Sequence, residues 1–478
     1  MHMQGCFEII HKDLAGRIGR LHTPHGTVET PALMPVVNPH VLLLSPQELV
    51  DLGADMIITN SYIIHQDPVL KETALERGVH GLLEFDGPVM TDSGAFQLSV
   101  YGSVDTEPLE ILEFQQDIRS DISVPLDIPT APDASREQAE MELAETERRL
   151  GEAVAHRREG LLLAGPVQGG IYPDLRESAA RRLREMGFDV YPIGAVVPLM
   201  ESYRFRELVD VIVASKIGLG PGVPVHLFGA GHPMVFALAA ALGCDLFDSA
   251  AYALYARDGR YLTPTGTYRL SDLRYLPCSC DVCRKHTPES LSEDPKRVEL
   301  LARHNLSASF QEIRAVRQSI HEGSLWEHLE MRCRSHPRTY QAFKHLSRYS
   351  EHLERLDRVS KSTLFYVSSE SARRPEVIRY RKRICRLELR GRVLVTDRHP
   401  EEDERSEYDH VLGFLPPFGP YPLGLEEMYP LNAELPGELD DNAVKEALDT
   451  LRSLIRENPG AEFHVKISYL EGFRDAVL

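Results

Sequence analysis

PVHLFGAGHPMVFALAAALGCDLFDSAAY (residues 224–252) contains two short apolar segments on either side of a helical run. Each short segment is rich in β-branched and aromatic residues and ends in glycine or polar residues. Such segments are typical of buried parallel strands, and the apolar run between them has the length of a helix. The stretch therefore predicts a strand–helix–strand unit.

The same unit recurs along the first half of the chain, at intervals of roughly thirty residues. Eight consecutive units of this kind predict an α/β protein with a (β/α)8 TIM barrel, which we assign to residues 1–270. The eight strand segments are TPALMPVV (30–37), DMIITNSY (55–62), PVMTDSGAF (88–96), ISVPLDIPT (122–130), LLLAGPVQGG (161–170), DVYPIGAVVP (189–198), PVHLFGAGHP (224–233) and CDLFDSAAY (244–252).

The barrel is flanked by other patterns on both sides. Residues 7–31 alternate in a way that predicts antiparallel strands closing the bottom of the barrel. Residues 271–362 contain three closely spaced cysteines followed by helical patterns, which predict a zinc-binding and helical subdomain that completes the catalytic core. Residues 363–478 mix strand-like and turn-rich sequence, which predicts a smaller α+β C-terminal domain.

Cys278, Cys280 and Cys283 form a C-x-C-x-x-C cluster. Thiolates at these short spacings can converge on one Zn²⁺, and a histidine from a later helix can complete a tetrahedron. We favour His304 as this fourth ligand, while His286, three residues past the last cysteine, competes with it. Four protein ligands leave no open position, so the zinc is predicted to be structural, and a hydrolase that uses zinc-bound water is disfavoured.

Polar residues and one glycine fall at or just past the predicted C-terminal ends of the strands, the face on which barrel enzymes assemble their sites. Three of them are aspartates, and close carboxylates must be stabilised by substrate, hydrogen bonds or shifted pKa values. This pattern predicts general acid/base or nucleophilic chemistry. The residues are Asn60, Asp92, Asp127, Gln168, Gly194, His226 and Asp248.

Composition places the chain in a reducing compartment and away from membranes. The start, MHMQGCFEII, lacks an apolar secretory stretch, and the longest apolar run, Val235 to Leu242, is too short to span a bilayer. Seven cysteines, three of them clustered, argue against a disulfide framework. We therefore expect a cytoplasmic protein.

The net charge of −19 is unevenly distributed. Residues 393–478 hold 19 acidic against 7 basic residues, whereas residues 372–392 hold nine Arg and Lys against two Glu. Residues 296–361 are also basic, with thirteen Arg and Lys against eight acidic residues. The two basic segments are candidate polyanion-binding surfaces, and the alternative is that they are solvated helix faces.

Seven motifs occur in the order found in the tRNA-guanine transglycosylases, and the chain resembles the archaeal type that starts archaeosine synthesis. The resemblance covers most of the chain and implies a barrel with a zinc insertion, with His304 as the fourth ligand. The motifs are TDSGAFQ (91–97), PLDIPT (125–130), VQGG (167–170), IGAVVPLMESYR (193–204), HLFGAGHP (226–233), LFDSAAYALYARDGRY (246–261) and CSCDVC (278–283).

The resemblance implies roles for individual residues. Asp248 matches the nucleophile that attacks the anomeric carbon of a target guanosine, and Asp92 matches the general acid/base. Which of the two attacks rests on the family pattern, because both are carboxylates on the same rim. The implied substrate-binding residues are Ser93, Phe96, Asp127, Gln168, Gly169, Gly194, Ala195, Val196 and Val197.

The resemblance also implies substrates and partners. The target is guanine 15 in the tRNA D-arm, and the incoming base is 7-cyano-7-deazaguanine (preQ0), because Gly194–Val197 differs from the bacterial-like Gly-Gly-Leu pattern. A homodimer is expected. The PUA RNA-binding domain of full-length archaeal relatives is not found, so either a separate PUA-domain protein supplies it or the basic segments bind tRNA alone. Two alternatives stay open: a queuosine-type enzyme acting on the anticodon wobble guanine, and a noncatalytic tRNA-binding subunit.

Overall fold

The computed structural model describes residues 5–95 and 107–468. The chain divides into two compact units, Met1–His345 and Leu346–Leu478. The finer boundaries at residues 270 and 362 stay a prediction. Within the described ranges, the helices are all too short or too polar to cross a lipid bilayer.

Eight parallel strands form the barrel of the first unit. Each of the first four strands pairs with the next along the chain, the sixth, seventh and eighth pair likewise, and the first pairs with the eighth. Parallel bridges Ala164–Val190 and Val167–Ile193 join the fifth strand to the sixth and close the sheet. In chain order the strands are Ala32–Val37, Ile57–Asn60, Val89–Asp92, Ile122–Ser123, Leu162–Leu163, Tyr191–Ile193, Val225–Leu227 and Leu246–Ser249.

Apolar side chains from the strands fill the interior of the barrel. Met34, Ile58, Met90, Ile122 and Leu246 are at most 1% exposed and belong to one core cluster. Helices cover the outside of the strands, so both faces of the sheet are buried, which explains why the strands read as short continuous apolar runs. The predicted (β/α)8 fold is confirmed.

The helices of the first unit begin and end at local signals. Ser135 caps the helix Arg136–Ala155 by accepting from the Gln138 amide, and Gly187, with φ 85°, ends the helix Pro173–Met186. The helices between the barrel strands and directly after the eighth are Pro46–Leu52, Ser61–Gln66, Pro68–Leu83, Pro108–Asp117, Arg136–Ala155, Pro173–Met186, Val197–Glu201, Phe205–Leu219, Phe236–Ala241 and Ala251–Arg257.

An antiparallel sheet of three strands, Phe7–Asp13, Gly16–Thr23 and Gly26–Thr30, closes the bottom of the barrel as predicted. Leu21 and Val28 extend the barrel core. The Arg17 guanidinium pairs with buried Asp245, directly before the eighth strand. The C-terminal ends of the barrel strands therefore lie at the opposite end of the barrel.

After the barrel, a hairpin, Arg260–Thr263 and Gly266–Arg269, leads into the cysteine cluster. The amide of Asn305 ties a long helix to this region, because it accepts from the Leu262 amide at 2.9 Å and donates to the Arg260 carbonyl at 3.0 Å. The helices of this region are Asp281–Lys285, Pro288–Glu293, Arg297–Glu322, Leu325–Cys333 and Pro337–His345.

The second unit mixes helices with a four-stranded sheet, which confirms a smaller C-terminal domain of helices and strands. Its central strand, Gly391–Thr396, pairs in parallel with His410–Leu415 and Ala461–Lys466, and Gly419–Pro422 adds an antiparallel edge. Apolar residues pack into a separate core in this unit, and the described part of the acidic stretch, residues 393–468, contributes to that core. Its α-helices are Ser350–Leu356, Pro375–Ile384, Glu402–Ser406 and Asp441–Glu457.

Candidate active site and metal centre

Asp92 ends the third barrel strand and is held by two donors. The Asn60 side-chain amide donates to its Oδ1 at 2.7 Å, and the Gly94 amide donates to the same oxygen at 2.8 Å. Gly94 has φ 85°, and a Cβ there would lie 2.7 Å from the Cβ of Tyr62, so this turn requires glycine. Asp92 therefore has a defined orientation at the rim.

The carboxyl group of Asp92 is poised to exchange a proton near neutral pH. Burial of the group, together with the negative charges of Asp248 and Asp127, raises its pKa to about 7 against the lowering effect of the Gly94 hydrogen bond. A carboxyl group with such a pKa is about half protonated near pH 7. It can act as acid in one step and as base in another.

Asp127 and Gln168 form a polar pair past the fourth and fifth strands. The Gln168 Nε2 donates to Asp127 Oδ2 at 2.6 Å, while Gln168 Oε1 is buried and finds no partner among the described residues. Burial raises the pKa of Asp127, against the lowering effect of this hydrogen bond. A Cβ at Gly194 would lie 2.2 Å from Gln168 Nε2, so the chain can approach Gln168 here only because glycine follows the sixth strand. The unpartnered acceptor is what a heterocycle with N–H groups would satisfy.

Arg176, which sequence reasoning missed, supports the backbone of this pocket. Its guanidinium is buried and donates to the carbonyls of Val167 at 2.6 Å, Gly170 at 2.8 Å and Gly194 at 3.0 Å. Burial lowers its pKa to about 9, and the charge of Asp127 opposes this shift. An arginine in a polar helix gives no sequence signal of such a role, because the three carbonyls belong to other segments.

Asp248 lies in the eighth strand and is 5% exposed. Its Oδ1 accepts from His226 Nε2 at 2.7 Å and from the Gly229 amide at 2.6 Å. A Cβ at Gly229 would lie 2.3 Å from Val197 Cγ2, which places that valine against the same turn. The predicted rim residues from the sixth, seventh and eighth strands are thus brought together.

The remaining predicted substrate-binding residues differ in burial and in backbone conformation. Ser93 is buried and donates to the Pro125 carbonyl at 3.3 Å, and Val196 is buried. Ala195, with φ 59°, and Gly169, with φ 132°, hold left-handed conformations next to the pocket. Such strain in a non-glycine residue is typical of functional turns. Phe96 lies outside the described residues.

The sulfurs of Cys278, Cys280 and Cys283 and a nitrogen of His304 lie within 4.8 Å of one another. A zinc tetrahedron with Zn–S bonds near 2.3 Å has sulfur–sulfur edges of about 3.8 Å, so the set fits that ion. The opposite nitrogen of His304 lies 3.0 Å from the Leu262 carbonyl, which leaves Nδ1 facing the sulfurs. A ligating histidine is commonly oriented by such a second hydrogen bond.

The side chain of His286 points away from the cysteine sulfurs. Its Nδ1 lies 3.0 Å from the Val282 carbonyl and its Nε2 lies 3.7 Å from Asp294. It is not part of the group that the cysteines and His304 form. The geometry agrees with the choice of His304 over His286.

Many arginine and lysine side chains of the basic segment 372–392 form ion pairs. Arg374 is buried against Glu376 at 3.1 Å, and Arg379 pairs with Glu354 at 3.1 Å. Arg373, Arg381 and Lys382 also lie in ion pairs. Since these charges are compensated within the second unit, the segment is a weaker candidate for phosphate binding than its composition indicates.

Comparisons with known proteins agree with the geometry. The family model described as queuine tRNA-ribosyltransferase matches residues 13–338. A Methanosarcina barkeri protein named tRNA-guanine(15) transglycosylase is 56% identical over 461 residues, covering 96% of this chain and 94% of that relative. Proteins of the same name from Haloferax volcanii and Thermococcus kodakarensis are 51% and 49% identical, covering 96% and 98% of this chain and 90% and 78% of the relatives.

Proposed function

The chain belongs to the queuine tRNA-ribosyltransferase family of tRNA-guanine transglycosylases, and from this premise we propose that it exchanges guanine 15 of tRNA for preQ0 through a covalent intermediate on Asp248. The observation that carries the proposal is the pair of rim carboxylates. Asp92 and Asp248 interact electrostatically, and each is oriented by hydrogen bonds to one oxygen. Two carboxylates with separate environments suit a retaining glycosyl transfer.

In the proposed first half-reaction, Asp248 Oδ2 attacks the ribose C1′ of guanosine 15. The C1′–N9 bond breaks, its electron pair leaves with guanine, and the proton of Asp92 neutralises the departing base. In the second half-reaction, Asp92 removes a proton from the incoming base, whose nitrogen then attacks C1′. The C1′–O bond to Asp248 breaks, which regenerates the carboxylate.

The charge of Asp248 links the two roles of Asp92. While Asp248 is ionised, its charge raises the pKa of Asp92 and favours the protonated acid needed for guanine departure. Once Asp248 is esterified that charge is gone, so the pKa of Asp92 falls and the carboxylate needed as base is favoured. The same residue can therefore serve both steps.

We expect guanine release to slow as the pH rises through about 7, because the acid form of Asp92, whose pKa is about 7, is lost there. Rapid-quench measurement of guanine release from tRNA between about pH 6 and about pH 8 checks this expectation. In Asp92→Asn, the rate of guanine release should no longer fall as the pH rises, and it should be much lower than in the unmodified enzyme at every pH. A release rate that is flat across this range in the unmodified enzyme would contradict the acid role.

The base pocket supports preQ0 as the incoming base. Gln168 and Asp127 present an unpartnered acceptor and a carboxylate to the edge of a purine-like ring. Val197 packs against Gly229 on the same rim. A nitrile is small and uncharged and tolerates an apolar neighbour, whereas an aminomethyl cation needs an acceptor.

Val197→Ser is expected to reduce the preference for preQ0 over 7-aminomethyl-7-deazaguanine by about tenfold, because it adds a polar group at the cost of apolar contact. Competition between the two bases for incorporation into one tRNA transcript measures the ratio. Val197→Ala, which shortens the side chain without adding a polar group, is the control and should retain the order of preference. An unchanged ratio in Val197→Ser would count against a role of this valine in base selection.

The zinc is proposed to be structural, one ion per chain, held by Cys278, Cys280, Cys283 and His304. When bound, it would cross-link the segment that carries the cysteines to the long helix Arg297–Glu322. All four positions are protein ligands, so we assign it no part in the reaction. A homodimer and a separate PUA-domain partner are retained as proposals.

The decisive test is incorporation of radiolabelled guanine or preQ0 into unmodified tRNA transcript, with the labelled nucleotide mapped. Label at position 15 is the expected result. Label at the anticodon wobble position would assign the chain to the queuosine type, which the description of the family model leaves open. Binding of tRNA without exchange of either base would favour the noncatalytic subunit.

A further inference from the structure

Two donors converge on one oxygen of Asp248. His226 Nε2 lies 2.7 Å and the Gly229 amide nitrogen 2.6 Å from Oδ1. Oδ2 accepts no hydrogen bond from the residues that the structure describes. The carboxylate is therefore fixed through one oxygen, and its other oxygen remains available for attack.

The ring of His226 is itself immobilised. The residue lies in the seventh strand, is 0% exposed, and stacks on Phe228 with ring centroids 4.7 Å apart and planes 29° from parallel. A side chain held by strand backbone and ring packing transmits its orientation to whatever it hydrogen-bonds.

The surroundings also determine the charge of His226. Because Nε2 donates to a carboxylate, that nitrogen carries the proton. Nδ1 is buried and has no partner within the described part of the chain, so a second proton there would form an N–H group without an acceptor, which is unfavourable. The neutral tautomer is favoured. The pair of His226 and Asp248 then carries one negative charge before attack and none in the ester, and no buried cation is left behind.

We propose that His226 is a positioning residue for the nucleophile, which acts as a neutral donor that fixes Asp248 Oδ1 and directs Oδ2 at the ribose C1′. This inference rests on the proposed role of Asp248. No proton is transferred: the hydrogen stays on Nε2 through both half-reactions, and Asp92 does the acid/base work. The role explains why a strand residue in the barrel interior is a histidine where an apolar residue would otherwise pack.

The test compares His226→Gln with His226→Asn. The glutamine amide nitrogen can reach the position of Nε2, whereas the asparagine amide, one methylene shorter, stops short of it. Single-turnover formation of the covalent tRNA adduct, without added base, should be about 10²-fold slower in His226→Asn and less than about tenfold slower in His226→Gln. The Kd for tRNA should be the same in all three proteins, since His226 does not face solvent.

The comparison of the two variants separates positioning from a general structural effect. Both variants remove the imidazole ring and its stacking on Phe228, but only His226→Gln can restore a donor to Asp248 Oδ1. Recovery of the rate in His226→Gln and not in His226→Asn is therefore specific to this hydrogen bond. Equal rates in the two variants would overturn the inference.

The adduct measurement also distinguishes failure of the proposed function from failure of the positioning role of His226. If the unmodified protein forms no adduct, or forms one that Asp248→Asn retains, the role of Asp248 itself is wrong. If the unmodified protein forms the adduct at Asp248 and His226→Asn is as fast, only the positioning role is wrong. If neither histidine variant folds, Phe228→Leu provides the test, because it removes the ring that stacks on His226. This variant should slow adduct formation without changing the Kd for tRNA. An unchanged rate of adduct formation would overturn the inference.

Discussion

Asp248→Asn is expected to abolish base exchange, with a loss of at least about 10⁴-fold in rate, because an amide cannot replace the carboxylate that attacks C1′. The replacement has nearly the same shape, and its side-chain oxygen can still accept from His226 and Gly229, so the barrel should remain folded. The measurement is the covalent adduct between enzyme and labelled tRNA on a denaturing gel, in the absence of incoming base. The adduct should be missing in the variant.

The same experiment decides between the two rim carboxylates. If Asp92 were the nucleophile, the adduct would vanish in Asp92→Asn and persist in Asp248→Asn. Asp133→Asn, in the segment that follows the fourth barrel strand, is a matched control, since its side chain is 90% exposed and pairs only with Arg204 among the described residues. This variant should retain both adduct and exchange. Peptide mapping of the trapped adduct then identifies the esterified residue directly.

Cys283→Ala is expected to remove the metal and to lower the temperature of the first unfolding transition by about 10 °C or more. The thiol is buried, lies 3.3 Å from His304 Nδ1 and 3.2 Å from the Tyr261 hydroxyl, and joins the cysteine segment to the long helix. Without it the remaining ligands no longer complete a tetrahedron. Zinc content per chain and calorimetric unfolding measure the two effects.

His286→Ala is the matched control for the metal centre, because this histidine is close in sequence but points away from the sulfurs. We expect it to retain zinc. Full zinc content in Cys283→Ala, or loss of zinc in His286→Ala, would show that the ligand set is wrong. Cys385→Ala, in the second unit, controls for the loss of a thiol as such.

The barrel was predictable because its signals are local. Each strand is a short apolar run that ends in a turn, and the helix boundaries at Ser135 and Gly187 follow from capping residues. The clustering of the three aspartates was predictable too, since parallel strands present their C-terminal ends on one face. The thiol cluster was visible from spacing alone.

Other features depend on distant residues and left no local mark. Arg176 looks like any arginine of a polar helix, yet it holds three carbonyls of the base pocket. The basic composition of residues 372–392 indicated a phosphate surface, whereas Arg374 and Arg379 are largely used in ion pairs with Glu376 and Glu354. The number of charged residues in a segment does not show which of them form ion pairs in the folded chain.

The barrel, the order of its motifs and the residue types at the C-terminal ends of its strands follow from the amino-acid sequence alone, because periodicity, capping and short spacings act between near neighbours. Which atoms meet depends on the folded chain. Folding brings His304, 21 residues beyond Cys283, to the cysteine sulfurs, as the sequence favoured, and it sets His226 against one oxygen of Asp248, 22 residues away. Hydrogen bonds depend on ångström distances between distant segments, and those distances exist only once the strands have closed into a barrel.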